Sequence, residues 1–158
     1  MYFSKCIEAP EPIFVNTVGL SLFLAGGITG CPPWQDVAKS KLLSSEVSIG
    51  TIYNPRRENF PISDSNAARE QIEWEFKALN RADMILFWFH KEQIQPIALF
   101  ELGRWSGTKK KLFVGADPEY SRRQDVEIQL ELARPDVYVY QSLENLLDAV
   151  SKFHPATR

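Results

Sequence analysis

In Asp83-Met84-Ile85-Leu86-Phe87-Trp88-Phe89 one acid is followed by six apolar residues, without the polar–apolar alternation of a half-exposed strand. A strand that is apolar on both faces belongs inside a parallel sheet, with helices covering it on either side. The flanking segments agree. Strand-like runs at 20–25, 47–53, 111–116 and 137–141 alternate with helix-like segments at 35–45, 66–82, 96–106 and 125–133. A last helix starts at Ser142, whose hydroxyl suits an N-cap, and Pro96 suits the first turn of its helix. The alternation predicts an α/β fold, a three-layer sandwich around a mostly parallel five-stranded sheet. Residues 1–18, which contain Pro10 and Pro12 and show no clean period, read as an N-terminal arm with room for a short strand. Residues 19–158 read as one domain.

Composition narrows the function classes. The 158 residues suffice for one domain with a substantial core, and 44% hydrophobic with 24% charged residues is ordinary for a globular protein. A net charge of −2 gives no electrostatic footprint for nucleic acid, and Lys109-Lys110-Lys111 and Arg122-Arg123 read as solvated clusters. Cys6 and Cys31 have no C-x-x-C spacing, and two histidines are too few for a zinc site. No metal and no cofactor are expected. Apolar runs are too short to span a bilayer and the first residues lack a basic start and long apolar stretch, so a cytoplasmic protein is expected.

In a sheet of this kind ligands bind at the carboxyl ends of the strands, where strand order reverses. The loops at 26–34, 54–65, 90–95 and 117–124 are therefore the ones to inspect. Ala25-Gly26-Gly27-Ile28-Thr29-Gly30 meets neither the dinucleotide fingerprint nor the P-loop. It is either a tight turn or a place where backbone approaches a small ligand closely. Trp34, after Pro32-Pro33, is either a core lid or a stacking face for a planar ring.

Two acids stand out. Glu101 lies among apolar neighbours in Pro96-Ile97-Ala98-Leu99-Phe100-Glu101-Leu102-Gly103, where an ionised carboxylate is expensive unless paired or employed. The bland alternative is an ion pair with Arg104. On the helix at 66–82, Ile72, Phe76 and Leu79 make one apolar stripe, and Glu75 lies roughly 60° from its centre. Glu75 is thus expected to be partly buried, and Glu70 and Glu73 to be surface charges; the plain reading of Glu75 is a salt bridge with Arg57 or Arg104. Paired acids are what cleavage of a glycosidic bond requires. His90 reads as a hydrogen-bonding loop histidine, and no Ser/His/Asp or Cys/His order is evident.

Several segments together resemble the nucleoside 2-deoxyribosyltransferase family, especially its nucleoside 2-deoxyribosyltransferase-like branch. They are Phe23-Leu24-Ala25-Gly26, Pro33-Trp34-Gln35, Asn54-Pro55-Arg56-Arg57, Gln71-Ile72-Glu73-Trp74-Glu75, Ala82-Asp83-Met84-Ile85-Leu86, Phe100-Glu101-Leu102-Gly103 and Asp117-Pro118-Glu119-Tyr120 with Arg122-Arg123-Gln124-Asp125-Val126. The resemblance implies a flavodoxin-like sheet and a covalent double displacement at the anomeric carbon of a 2′-deoxynucleoside, with free nucleobases as partners. It puts the nucleophile at Glu101 and an acid at Glu75, where many relatives have aspartate. A family tyrosine falls on Phe23, and an aspartate before the nucleophile falls on Gln95. Gly26, Trp34, Asn54 and Arg57 are implied as further substrate contacts. Asp125 corresponds to a residue that reaches the sugar's 5′-hydroxyl in a neighbouring subunit, which implies a homo-oligomer. Set early in its helix, Glu101 would feel the positive end of the dipole, which favours its ionised form. Two other readings stay open. One is an N-glycosidase acting on nucleoside 5′-monophosphates, with Arg56, Arg57, Arg122 and Arg123 available for phosphate. The other is a non-catalytic nucleotide-sensing module.

Overall fold

The computed structural model describes residues 5–13, 19–45 and 49–155. Its strands are β1 (Lys5–Glu8), β2 (Leu20–Gly26), β3 (Ile49–Asn54), β4 (Met84–Phe89), β5 (Lys111–Ala116) and β6 (Val139–Tyr140). Its helices are α1 (Trp34–Leu43), α2 (Ser65–Arg81), α3 (Pro96–Ser106), α4 (Arg123–Ala133) and α5 (Leu143–Ser151). The first residues of the arm, its end at 14–18 and the expected start of β3 at 47–48 lie outside the described residues.

Every strand pair is parallel, and the sheet order is β1-β3-β2-β4-β5-β6. From β2 onward this is the flavodoxin order. The expected five strands become six among the described residues, because Lys5–Glu8 of the arm pairs with β3, from Lys5 opposite Thr51 to Glu8 opposite Asn54. The outer edge of β3 would otherwise leave a row of backbone donors and acceptors open.

β4 is buried at every position, as its unbroken apolar run requires. Met84, Leu86 and Trp88 join α1 and α5 on one side of the sheet, packed with Trp34, Ala38, Leu42, Leu146 and Val150. Ile85, Phe87 and Phe89 join α2, α3 and α4 on the other, packed with Trp74, Ala78, Leu102, Trp105 and Leu130. This is the period-two alternation of strand side chains read out as two cores. Ser142 caps α5 by accepting from Asn145 N at 3.1 Å, and Pro96 occupies the first turn of α3. No helix among the described residues is long and apolar enough to cross a membrane.

The stripe expected on α2 is corrected. Leu79 is buried, but Ile72 is 67% exposed and Phe76 53%. The inward residues are Ala67, Trp74, Ala78 and Leu79. Trp74 anchors the helix: its indole N–H donates to Glu11 O at 2.7 Å, and its ring packs on Phe23 and Tyr53. Trp74 is the largest apolar side chain of the helix, and facing inward it gains a hydrogen bond and two aromatic contacts. Glu75 is half-buried, while Glu70 and Glu73 are exposed.

Chain order reverses between β2 and β4, since β3 lies on one side of β2 and the chain then crosses back to β4 on the other. A crevice opens at the carboxyl ends of these two strands.

Candidate active site

That crevice is a cleft of about 540 Å³ with Phe23, Gly26 and Gly27 from β2 and its loop, and Glu75 from α2. Gln95, Ala98 and Glu101 at the start of α3 close its other side. Among the described residues no lysine or arginine lines it. Of the four loops expected at the rim, those at 26–34, 54–65 and 90–95 contribute, and 117–124 does not.

Glycine shapes the floor. Gly26 has φ of +155°, and a Cβ there would sit 2.3 Å from the Trp88 carbonyl oxygen and 2.8 Å from the Trp34 ring. At Gly27 a Cβ would meet Cys31 Sγ at 2.3 Å and Gln95 Cδ at 2.9 Å. Backbone therefore stands against side chains here with no space between them.

The two acids arrive from different helices. Glu75, on α2, accepts from Gln71 Nε2 at 2.8 Å, and burial pushes its carboxyl above the ordinary range against that hydrogen bond. Glu101 is pushed further, to about 8, by burial first and then by the charge of Glu75, with Arg104 pulling weakly the other way. The expectation that the helix dipole would favour ionised Glu101 is thus corrected. Glu101 is the sixth residue of α3, and the dipole's influence fades within the first turn, so desolvation and the charge of Glu75 prevail.

Neither acid makes the ion pair that a structural role would call for. Arg104 lies over the Phe76 and Trp105 rings, 4.7 and 4.9 Å from their centroids, and Arg57 pairs with Glu70 at 3.3 Å. Among the described residues, no ion pair includes Glu75 or Glu101. Two half-buried carboxyls lining one cleft, neither in an ion pair, can hold one proton between them and so supply one carboxylate and one acid together.

Gln95 holds the entry to α3 in a left-handed conformation, φ 57° and ψ 59°. Its Nε2 donates to His90 O at 2.6 Å and to Gln93 O at 2.9 Å. His90 is the loop histidine expected, its Nδ1 accepting from Glu92 N at 3.2 Å.

Phe23, Gly26, Glu75, Gln95 and Glu101 are therefore brought together, and the other expected contacts lie elsewhere in this chain. Trp34 is buried on the opposite side of the sheet, its indole N–H donating to Gly27 O at 2.9 Å. Asn54 is buried at the end of β3, its Oδ1 accepting from Arg56 N at 3.0 Å. Arg57 supports the rim from behind, its guanidinium 5.3 Å from the centroid of Phe60, which lines the cleft. Asp125 is exposed in the first turn of α4, 3.5 Å from Arg122.

Gln71 was not singled out from the sequence, yet it lines the cleft and bridges Pro55 O at 2.7 Å to Glu75. Its spacing of four residues from Glu75 on one helix was the available signal. Ile72 and Ile97 also line the cleft, and their exposure follows from that position.

The model of the family described as "Nucleoside 2-deoxyribosyltransferase like" matches residues 19–120, well over half of the chain. The match contains both acids and every residue that lines the cleft. No curated protein matches the chain.

Proposed function

The chain belongs to the nucleoside 2-deoxyribosyltransferase-like family, and on that premise we propose that it transfers 2-deoxyribose between nucleobases by cleaving the N-glycosidic bond of 2′-deoxynucleosides. The observation that carries this reading is the pair of carboxyls, Glu75 and Glu101, that line one cleft at the switch point of the sheet with neither held in an ion pair among the described residues. A carboxylate oxygen of Glu101 bonds to the anomeric carbon while the bond to the base breaks and its electron pair goes to the base nitrogen. Glu75 supplies the proton that the departing base takes up. The second base then attacks the same carbon, gives its proton to Glu75 and releases Glu101. One proton between two carboxyls is the charge state that this sequence starts from. Positive charge developing on the sugar favours ionised Glu101 and leaves the proton to Glu75.

The nucleoside 5′-monophosphate reading finds less support, because the arginines it needs are engaged. Arg56 donates to Cys31 O, Pro32 O and Gln35 Oε1, Arg57 pairs with Glu70, and Arg122 with Asp125. Arg123 donates to Ala116 O and pairs with Glu127. A phosphate in the cleft would face two acids and, among the described residues, no cation. For Asp125, exposed and remote from the cleft of its own chain, we extend the proposal to an assembly in which it reaches the sugar of a neighbouring subunit.

The test is base exchange. Incubation of a deoxynucleoside with a foreign base should give the swapped deoxynucleoside, and Glu101→Ala should abolish the product with an unchanged circular dichroism spectrum. Full exchange by that variant would overturn the reading.

A further inference from the structure

Among the described residues that line the cleft, Phe23 and Phe60 are the aromatic ones, and they are placed very differently. Phe23 belongs to β2, is 1% exposed and packs against Trp74, 6.4 Å between ring centroids. Phe60 lies in the loop between β3 and α2 and is 39% exposed. The Arg57 guanidinium lies over its ring, 5.3 Å from the centroid, and pairs in turn with Glu70 at 3.3 Å. One face of the ring is thus covered by a cation that is itself held in place. The surface left open belongs to the other face and the edge.

Exposure alone is ordinary for a single apolar residue, and what sets Phe60 apart is its place. The segment 54–75 builds one side of the cleft: Pro55, Phe60, Gln71 and Glu75 all line it, and Gln71 joins Pro55 O to Glu75. Glu101 stands on the other side, on α3. In the function proposed above Glu75 protonates the departing base and Glu101 bonds to the sugar, so the base lies on the Phe60 side. We propose that Phe60 is the stacking face for the nucleobase, a binding residue that holds purines and pyrimidines alike. Every base has a π-face whatever donors and acceptors lie on its edge, so stacking selects planarity and not an edge pattern. Such a face suits an exchange in which one base leaves and a different one enters the same space. Because Arg57 and Glu70 hold the ring from behind, little rotamer freedom is lost when a base settles on it. The choice of a nucleobase as ligand rests on the proposed function; the half-open ring at the cleft does not.

The test is calorimetric titration of the full chain with free adenine and free cytosine, in wild type, Phe60→Ala, Phe60→Leu and Phe60→Tyr. Phe60→Ala should weaken both bases about tenfold, within the range that one stacked base contributes. Phe60→Tyr keeps the π-face and should bind within about twofold of wild type. Phe60→Leu keeps apolar area without a π-face and should fall between the two. Should Phe60→Ala fail to fold, weaker binding by Phe60→Leu than by Phe60→Tyr decides. Equal binding by wild type and Phe60→Ala, a loss confined to one base, or no binding of either base by wild type overturns the proposal. Base exchange measured on the same preparations separates the two readings. A stacked base is held equally before and during reaction, so Phe60→Ala should raise the acceptor KM about tenfold and leave kcat nearly unchanged. Binding that depends on Phe60 without exchange overturns the activity alone, and exchange indifferent to Phe60 overturns the stacking alone.

Discussion

Glu75 stands near enough to Glu101 for its charge to raise the second carboxyl, which burial has already lifted, to about 8. On the proposed mechanism the reactive form is the pair with one proton, so base exchange should fall as pH rises past about 8 and the last proton is lost. It should fall again in acid, when both carboxyls are protonated. The kcat/KM profile over pH is therefore bell-shaped.

Glu75→Gln removes a neighbouring negative charge, and Glu101 then ionises more readily. The descending limb should disappear with the acid that produced it. One ascending limb remains, centred below the wild type's value of about 8. Loss of the proton donor should cost about 10²–10⁴ in rate. A descending limb that survives in this variant would separate Glu75 from the proton.

The same carboxyl makes stability depend on pH. The folded value of about 8 lies above the ordinary 4.5, so the folded state holds a proton that the unfolded state gives up. Stability from this group is complete below about 4.5 and is lost as pH rises through about 8. Glu101→Gln keeps the shape and removes the titration. Urea denaturation should find the variant more stable than wild type by roughly 2–4 kcal/mol near pH 8. Near pH 4 the two should be nearly equal. A constant difference across that span would mean that Glu101 is not held protonated.

Trp74 ties the arm to α2 and lies under Phe23, a wall of the cleft. Trp74→Phe keeps most of the packing and loses the bond to Glu11 O, at a cost of about 1–2 kcal/mol. Trp74→Ala adds a cavity and should cost about 3–5 kcal/mol. Because Phe23 then loses its backing, base exchange should drop more than the folded fraction does. Chemical denaturation with parallel exchange assays checks both.

Much of this was legible in the chain, for identifiable reasons. The unbroken apolar run of β4 can only be a strand covered on both sides, and Pro96 and Ser142 mark helix starts by their own chemistry. Glu101 stood out because an acid in an apolar segment needs an explanation. Periodicity failed where tertiary contact overrides it. On α2 one tryptophan with a hydrogen-bond partner in the arm outweighed Ile72 and Phe76, and set the orientation of Glu75. β1 was hard to see because a four-residue edge strand exists only through its partner. The hydrogen bonds of Gln71 and Gln95 lay beyond reach, since a partner across the site is a property of the assembled fold and not of any residue in it.

Asp125 gives the sharpest test of assembly. It lies on an exposed helix start, outside the cleft that holds the Glu101 of its own chain. If it serves a neighbour, a site takes Glu101 from one chain and Asp125 from another. Glu101→Ala should then be inactive, and Asp125→Ala should lose about tenfold or more of its exchange activity, the scale of one lost hydrogen bond to substrate. Co-expressed, the two variants form mixed pairs in which one site regains both residues. Half of random dimers are mixed and half of their sites are intact, so activity should recover to about a quarter of wild type. Activity no higher than the mean of the two variants would place Asp125 in the site of its own chain or in none.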